Sequence, residues 1–303
     1  MITTITPMPG HGLFVGIDWG GSEHQLCAVD QGGEVIANSR VEHTVAGLSQ
    51  IDSFITATAT IAALSRDRER IVHMQRMVES RLRAVLESYH PAPLHLFSSL
   101  DRDINLAFLR DYPNPDAARR VGPKRMAKFC RKHGYSGRTD PAVLVERLRP
   151  HLLNVSPGTT AGKQVAAPAM ADQLELFNRQ IRNYDALITA AVAAHPDGPL
   201  FLSFPGIGPI IAATFIGEMG DDRARYPSAA ALLAETGLAP VTRASGRTHQ
   251  VRFRYAANKR MRHAIDWWMT VAAREDDWSR TAYDTARARN QSRFRAYRGL
   301  GAR

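Results

Sequence analysis

The 303 residues, 44% apolar and 22% charged, suit packed cores in one or two domains and exclude default disorder; the only cysteines, Cys27 and Cys130, exclude a disulfide framework and Cys-based zinc spacing. No apolar run approaches the roughly 18–20 residues that span a bilayer, and MITTITPMPGHG at the start is no signal peptide, so a cytoplasmic protein without a membrane partner is expected. The net charge is +10, and residues 243–303, with 15 Lys and Arg against 5 Asp and Glu, carry all of it.

In chain order, Leu13–Trp19, Gln25–Asp30 and Val35–Val41 are strand-like runs separated by Gly20-Gly21 and Gly32-Gly33, which predicts a three-stranded meander. A helix is expected from Val45 to about Ala57. A long helix over 58–89 follows, with Leu64, Ile71, Val78 and Val85 seven apart and Arg68 and Gln75 interrupting the seam. Such a stripe packs on a second chain or on another helix of the same chain. Pro91 and Pro93 end it, and 101–151 reads as short helices joined by polar turns. Within that stretch, residues 119–138 hold eight basic side chains and no acidic one, a second cationic zone of the kind that binds polyanions. Residues 156–162 suggest a linker, and Met170 to Ala194 a second long helix. The expected fold is mainly α with a small amino-terminal β-meander, divided into residues 1–58, 59–198 and 199–303.

Four constellations carry chemistry. Pro205-Gly206-Ile207-Gly208 precedes a helix. It is either a plain interhelical turn or the hairpin of a helix-hairpin-helix, in which Gly206 and Gly208 let backbone N–H groups meet a phosphate. The cationic segment downstream favours the second reading. Ser245 lies between Arg243 and Arg247; it is either a turn serine or a nucleophile whose phosphoryl charge the arginines would stabilise. Asp18, closing the apolar run VGID, is either a turn-capping residue or the first carboxylate of a metal-dependent nuclease site, which needs several converging carboxylates. Arg252, Arg254, Lys259, Arg260 and Arg262, interleaved with Phe253 and Tyr255, suit salt-sensitive backbone contact with DNA.

In this order, PGIGPIIAATFIGEMGD, YPSAAALLAETGLAPVTRASG and RFRYAANKRMRHAI resemble the carboxy-terminal domain of the insertion sequence 110 family of transposases, while FVGIDWGGSEHQLCAVDQGGEV resembles the start of its RuvC-like, ribonuclease-H-like DEDD domain. The resemblance implies a DNA recombinase working with a structured guide-type RNA, with Asp18 as the first Mg²⁺-binding acid and Ser245 as the nucleophile. It also implies a truncated DEDD domain. After Thr60 the chain enters the long helix without the further strand and Asp pair of that family, and neither Asp101-x-Asp103 nor Asp67-x-Glu69 replaces them. Impaired cleavage is therefore expected, or a catalytically inactive DNA- or RNA-binding remnant, with self-association through the long helices.

Overall fold

The computed structural model describes residues 6–7, 14–29, 35–220 and 225–303. They fall into two compact units: described residues up to Asp67 together with Tyr184–Arg303, and Arg68–Asn183. Among the described residues, no helix is long and apolar enough to cross a membrane.

The first unit opens with an antiparallel sheet in chain order, β1 (Thr6–Pro7), β2 (Phe14–Trp19), β3 (Glu23–Val29) and β4 (Val35–Glu42). The predicted meander is thus present, although Gly32-Gly33 lies outside the described residues. Side chains alternate across a strand. His24, Leu26 and Val41 are buried, whereas Asp18 and Arg40 lie exposed on the opposite face, aligned through Gln25 by the register Asp18↔Gln25↔Arg40. His43 Nδ1 lies 2.8 Å from Nε2 of the buried His24.

From Val45 the chain forms one helix, α1 (Val45–Tyr89), rather than two. No proline or glycine occurs between residues 48 and 90, so nothing breaks it at the expected 58/59 boundary. In the second unit, Leu82 and Leu86 pack against Ala167, Ala171 and Leu174 of α7 (Pro157–Ala194), with Val78 and Val85 at the margin. This part of the stripe packs within the chain. Gln75, which interrupts it, donates to Asn178 Oδ1 of α7 at 2.6 Å.

The expected linker at 156–162 is instead the first turns of α7. Ser156 Oγ accepts from Thr159 N at 3.3 Å, and Pro157 stands where a missing N–H costs nothing. The helix continues through Pro168, whose lost backbone bond is offset by burial of Ala167 and Ala171. A second core gathers α2 (Ala92–Leu96), α3 (Asp103–Asp111), α4 (Pro115–Arg119), α5 (Pro123–Lys132) and α6 (Pro141–Leu148), with Phe108 edge-on to Phe129 at 5.6 Å.

The carboxy-terminal part of the first unit contains α8 (Gly198–Leu202), α9 (Pro209–Met219), α10 (Ala229–Glu235), α11 (Lys259–Glu275), α12 (Asp277–Ala288) and α13 (Arg293–Gly301). It also contains a hairpin, β5 (Val241–Ser245) and β6 (Thr248–Arg252), where an all-helical domain was expected. Alternation signals a strand only when one face is apolar; VTRAS and THQVR are largely polar, and most of their described side chains are exposed.

A buried carboxylate ties this unit together. Glu218, at the end of α9 and 8% exposed, receives Arg66 of α1 at 3.3 Å and Arg260 of α11 at 3.0 Å on Oε1. Its Oε2 accepts from Asn258 Nδ2 at 2.8 Å, and Asn258 Oδ1 caps α11 through Arg260 N and Met261 N. Arg260 also donates to Ser65 Oγ at 3.0 Å, and Ser65 lies 3.3 Å from Thr214.

Glu218→Ala leaves two partly buried guanidinium groups without their carboxylate and should cost about 3–5 kcal/mol by chemical denaturation; a loss below about 1 kcal/mol would show the network to be a surface feature. His90 is fully buried, donates Nε2–H to Tyr112 O at 3.1 Å, and is pushed by burial down to about 4. Below pH 6.5 the unfolded chain takes up this proton first. The stability His90 contributes is therefore complete above that pH and lost as pH falls to about 4, by at most about 3 kcal/mol. Urea unfolding of His90→Gln should be flatter over that window than that of the parent chain.

Candidate functional site

Between α8 and α9 the chain makes a tight turn. Ile207 N donates to Phe204 O at 3.1 Å, with Pro205 second and Gly206 third at φ +81°, the residue order of a type II turn. A Cβ on Gly206 would lie 2.8 Å from Ala272 N of α11, so glycine serves both the turn and the close approach of two backbones. Trp268 of α11 fixes the turn further: its Nε1 donates to Pro205 O at 2.8 Å and its ring meets Phe204 edge-on at 5.7 Å. Gly208 is the N-cap of α9, with open space at its Cβ position. Ala212 N closes the first bond of α9, to Gly208 O at 3.0 Å; Ile210 and Ile211 precede it, at the helix end whose amides and dipole suit an anion.

The basic residues divide into two groups. Arg262 Nε donates to Thr236 O at 3.1 Å, its Nη2 donates to Arg254 O at 2.7 Å, and the guanidinium lies 4.6 Å over Phe253. Arg298 covers the same ring at 5.1 Å. Arg254 Nε donates to Ala239 O at 3.2 Å, and Arg260 belongs to the Glu218 network. Arg254, Arg260 and Arg262 therefore use guanidinium donors to close the fold, a role their spacing in sequence did not reveal. Arg247, Arg252 and Lys259 are exposed, Arg252 contacting only Gln250 of its own strand among the described residues. Arg243 lies in β5 opposite Gln250.

Ser245 is the last residue of β5, paired with Thr248 across the two-residue turn Gly246-Arg247. Gly246, at the first turn position, has φ +54°, as such a hairpin turn requires. Ser245, Gly246 and Arg247 are all exposed, which places a hydroxyl and a guanidinium at the tip of a hairpin. No described side chain accepts a hydrogen bond from Ser245, so no base activates the hydroxyl among the described residues.

Asp18 lies in β2, in the amino-terminal sheet. Its cross-strand neighbour is Gln25, whose Oε1 accepts from Arg40 Nε at 3.1 Å, so an amide and a guanidinium occupy positions where a metal pair needs carboxylates. Among the described residues no group of three His, Cys, Asp or Glu side chains could hold a metal ion. Asp103, rejected from sequence, is ion-paired with Arg182 at 3.1 Å. The residues described around Asp18 do not fit a Mg²⁺ site.

Residues 198–284, from α8 into α12 and including the turn, Ser245 and α11, match the family model described as Transposase IS116/IS110/IS902 family. The chain is 32% identical over 238 residues to a 42 kDa protein of insertion element IS900 from Mycobacterium paratuberculosis, covering 75% of this chain and 58% of that protein. It is 27% identical over 263 residues to a 43.6 kDa protein of insertion element IS110 from Streptomyces coelicolor, covering 84% and 62%. A mini-circle transposase candidate for IS117 from the same organism is 29% identical over 249 residues, covering 79% and 59%. The chain thus spans about three fifths of the length of these relatives. Residues 198–284 thus match the transposase family IS116/IS110/IS902, and most of the chain is similar to proteins of insertion elements.

Proposed function

We propose that the chain acts on DNA in the transposition of an insertion element, with the helix-hairpin-helix at Gly206 and Gly208 gripping the phosphate backbone and Ser245 as the nucleophile. One observation carries this reading: within the family-matched segment, Ser245 is exposed at the end of a two-residue hairpin with Arg247 beside it. In the proposed step the Ser245 Oγ–P bond forms as the P–O bond to a deoxyribose breaks. The serine proton passes to solvent, and the departing sugar oxygen takes a proton from solvent. Arg247, with Arg243 from the same hairpin, would offset charge on the transferring phosphoryl group.

A divalent cation would neutralise phosphate charge in this chemistry, but the described acids around Asp18 do not form its site. The ribonuclease-H-like part is therefore proposed as truncated: β2–β4 carry Asp18, and β4 is followed directly by the 45-residue α1. Impaired cleavage follows from that reading, and a structured RNA and a second copy of the chain are its proposed partners. The alternative is a DNA- or RNA-binding remnant without cleavage, supported by the lack of a carboxylate cluster around Asp18 among the described residues.

A nicked DNA duplex that traps a serine–phosphate adduct on a denaturing gel tests the proposal. The parent chain should form adduct slowly, and Ser245→Ala should form none while retaining salt-dependent DNA binding. Equal adduct from Ser245→Ala would remove the serine from its role. Rapid strand exchange by the parent chain with Mg²⁺ and RNA would overturn the impairment. No adduct from the parent chain, with DNA binding intact, would establish the remnant reading.

A further inference from the structure

Helix α5 in the second unit contains Lys124, Arg125, Lys128, Arg131 and Lys132, all exposed. The opposite face buries Met126, Phe129 and Cys130 in the second core at 0%, 3% and 7% exposure. The helix is therefore held by its apolar face and shows solvent a continuous cationic one. Lys132 pairs with Asp111 at 3.1 Å, and Arg125 donates to Arg120 O at 3.0 Å. Lys124, Lys128 and Arg131 make no hydrogen bond or ion pair with the described residues. A merely solvated helix face normally intersperses acids at i+3 or i+4; residues 119–138 contain none.

We infer that this face of α5 is a second DNA-contacting surface, in a compact unit separate from the one that carries Ser245, and that it binds the phosphate backbone of duplex DNA. The inference extends the DNA reading above and rests on it. Lys124, Lys128 and Arg131 recur at i, i+4 and i+7, which sets neighbouring side chains about 5–6 Å apart along one line, a row suited to successive phosphates of one strand. The exposed face of α5 has no aromatic side chain on which an unstacked base could lie, which favours a duplex backbone over single-stranded RNA. Helices α4 and α5 are joined by the three residues Arg120, Val121 and Gly122, a connection length also found in helix-turn-helix DNA binders.

Fluorescence anisotropy of the full chain with a labelled DNA duplex of unrelated sequence, titrated with salt, tests the inference. Lys124→Gln, Lys128→Gln and Arg131→Gln together should weaken binding about tenfold or more and make the log–log salt slope less negative by about two to three. The charge-conserving set Lys124→Arg, Lys128→Arg and Arg131→Lys should bind as the parent does. All three positions are exposed, so thermal unfolding should not change. Unchanged affinity and slope in the Gln set would overturn the inference. A loss confined to a matched RNA duplex would overturn the choice of DNA. If Arg247→Gln, Arg252→Gln and Lys259→Gln weaken binding while the α5 set does not, the inference fails and the proposed function stands. If the parent chain shows no salt-dependent DNA binding, both fail.

Discussion

Glu218 is the constraint on which the carboxy-terminal fold depends. A carboxylate 8% exposed survives out of water only with its charge matched and its lone pairs filled. Arg66, Arg260 and Asn258 do both, and they come from α1, from α11 and from the cap that starts α11. Ile61 and Leu64 of α1, Ile188 and Val192 of α7, and Met261 and Ile265 of α11 surround these groups in one core. The ion pairs fix which helices meet, and the apolar contacts provide most of the burial. The family-matched segment 198–284 is therefore completed by side chains more than a hundred residues away in the chain.

That scaffold explains how the functional residues divide. The turn at Gly206 is fixed by a hydrogen bond from Trp268 and by its backbone approach to Ala272, so Gly208 and the start of α9 are held in place before any ligand arrives. Arg254, Arg260 and Arg262 are used to close the fold, while Arg247, Arg252 and Lys259 are left to solvent. Ser245 lies exposed at the end of a hairpin whose two strands pair with each other. A packed base carrying an exposed hydroxyl suits the proposed reaction, in which the substrate is large and delivers its own phosphate.

Part of this was legible from sequence. The meander followed from three strand-like runs separated by glycine pairs, the second basic zone from its lack of acids, and the turn from Pro205-Gly206. What was missed has physical causes. A hairpin polar on both faces gives no alternation signal, so β5 and β6 were hidden. The second long helix was expected only from Met170; α7 starts at Pro157 and runs through Pro168, whose lost backbone bond is offset by burial of Ala167 and Ala171. Six basic residues in a row of motifs look alike until the carbonyls of Thr236, Ala239 and Arg254 show which of them are occupied. The alignment of Asp18 with Gln25 and Arg40 needed the strand register.

The matched segment 198–284 and the distant stretch of α1 around Ser65 and Arg66 are clamped by Glu218 into one cooperative unit. Native-state hydrogen exchange of the full chain tests this directly, because amides of one cooperative unit open with one free energy. Amides of α1 near residues 60–67 should share the opening free energy of α9 and α11, and all three should fall together in Glu218→Ala. Exchange of those α1 amides independent of α9 and α11, unaffected by that substitution, would contradict the account.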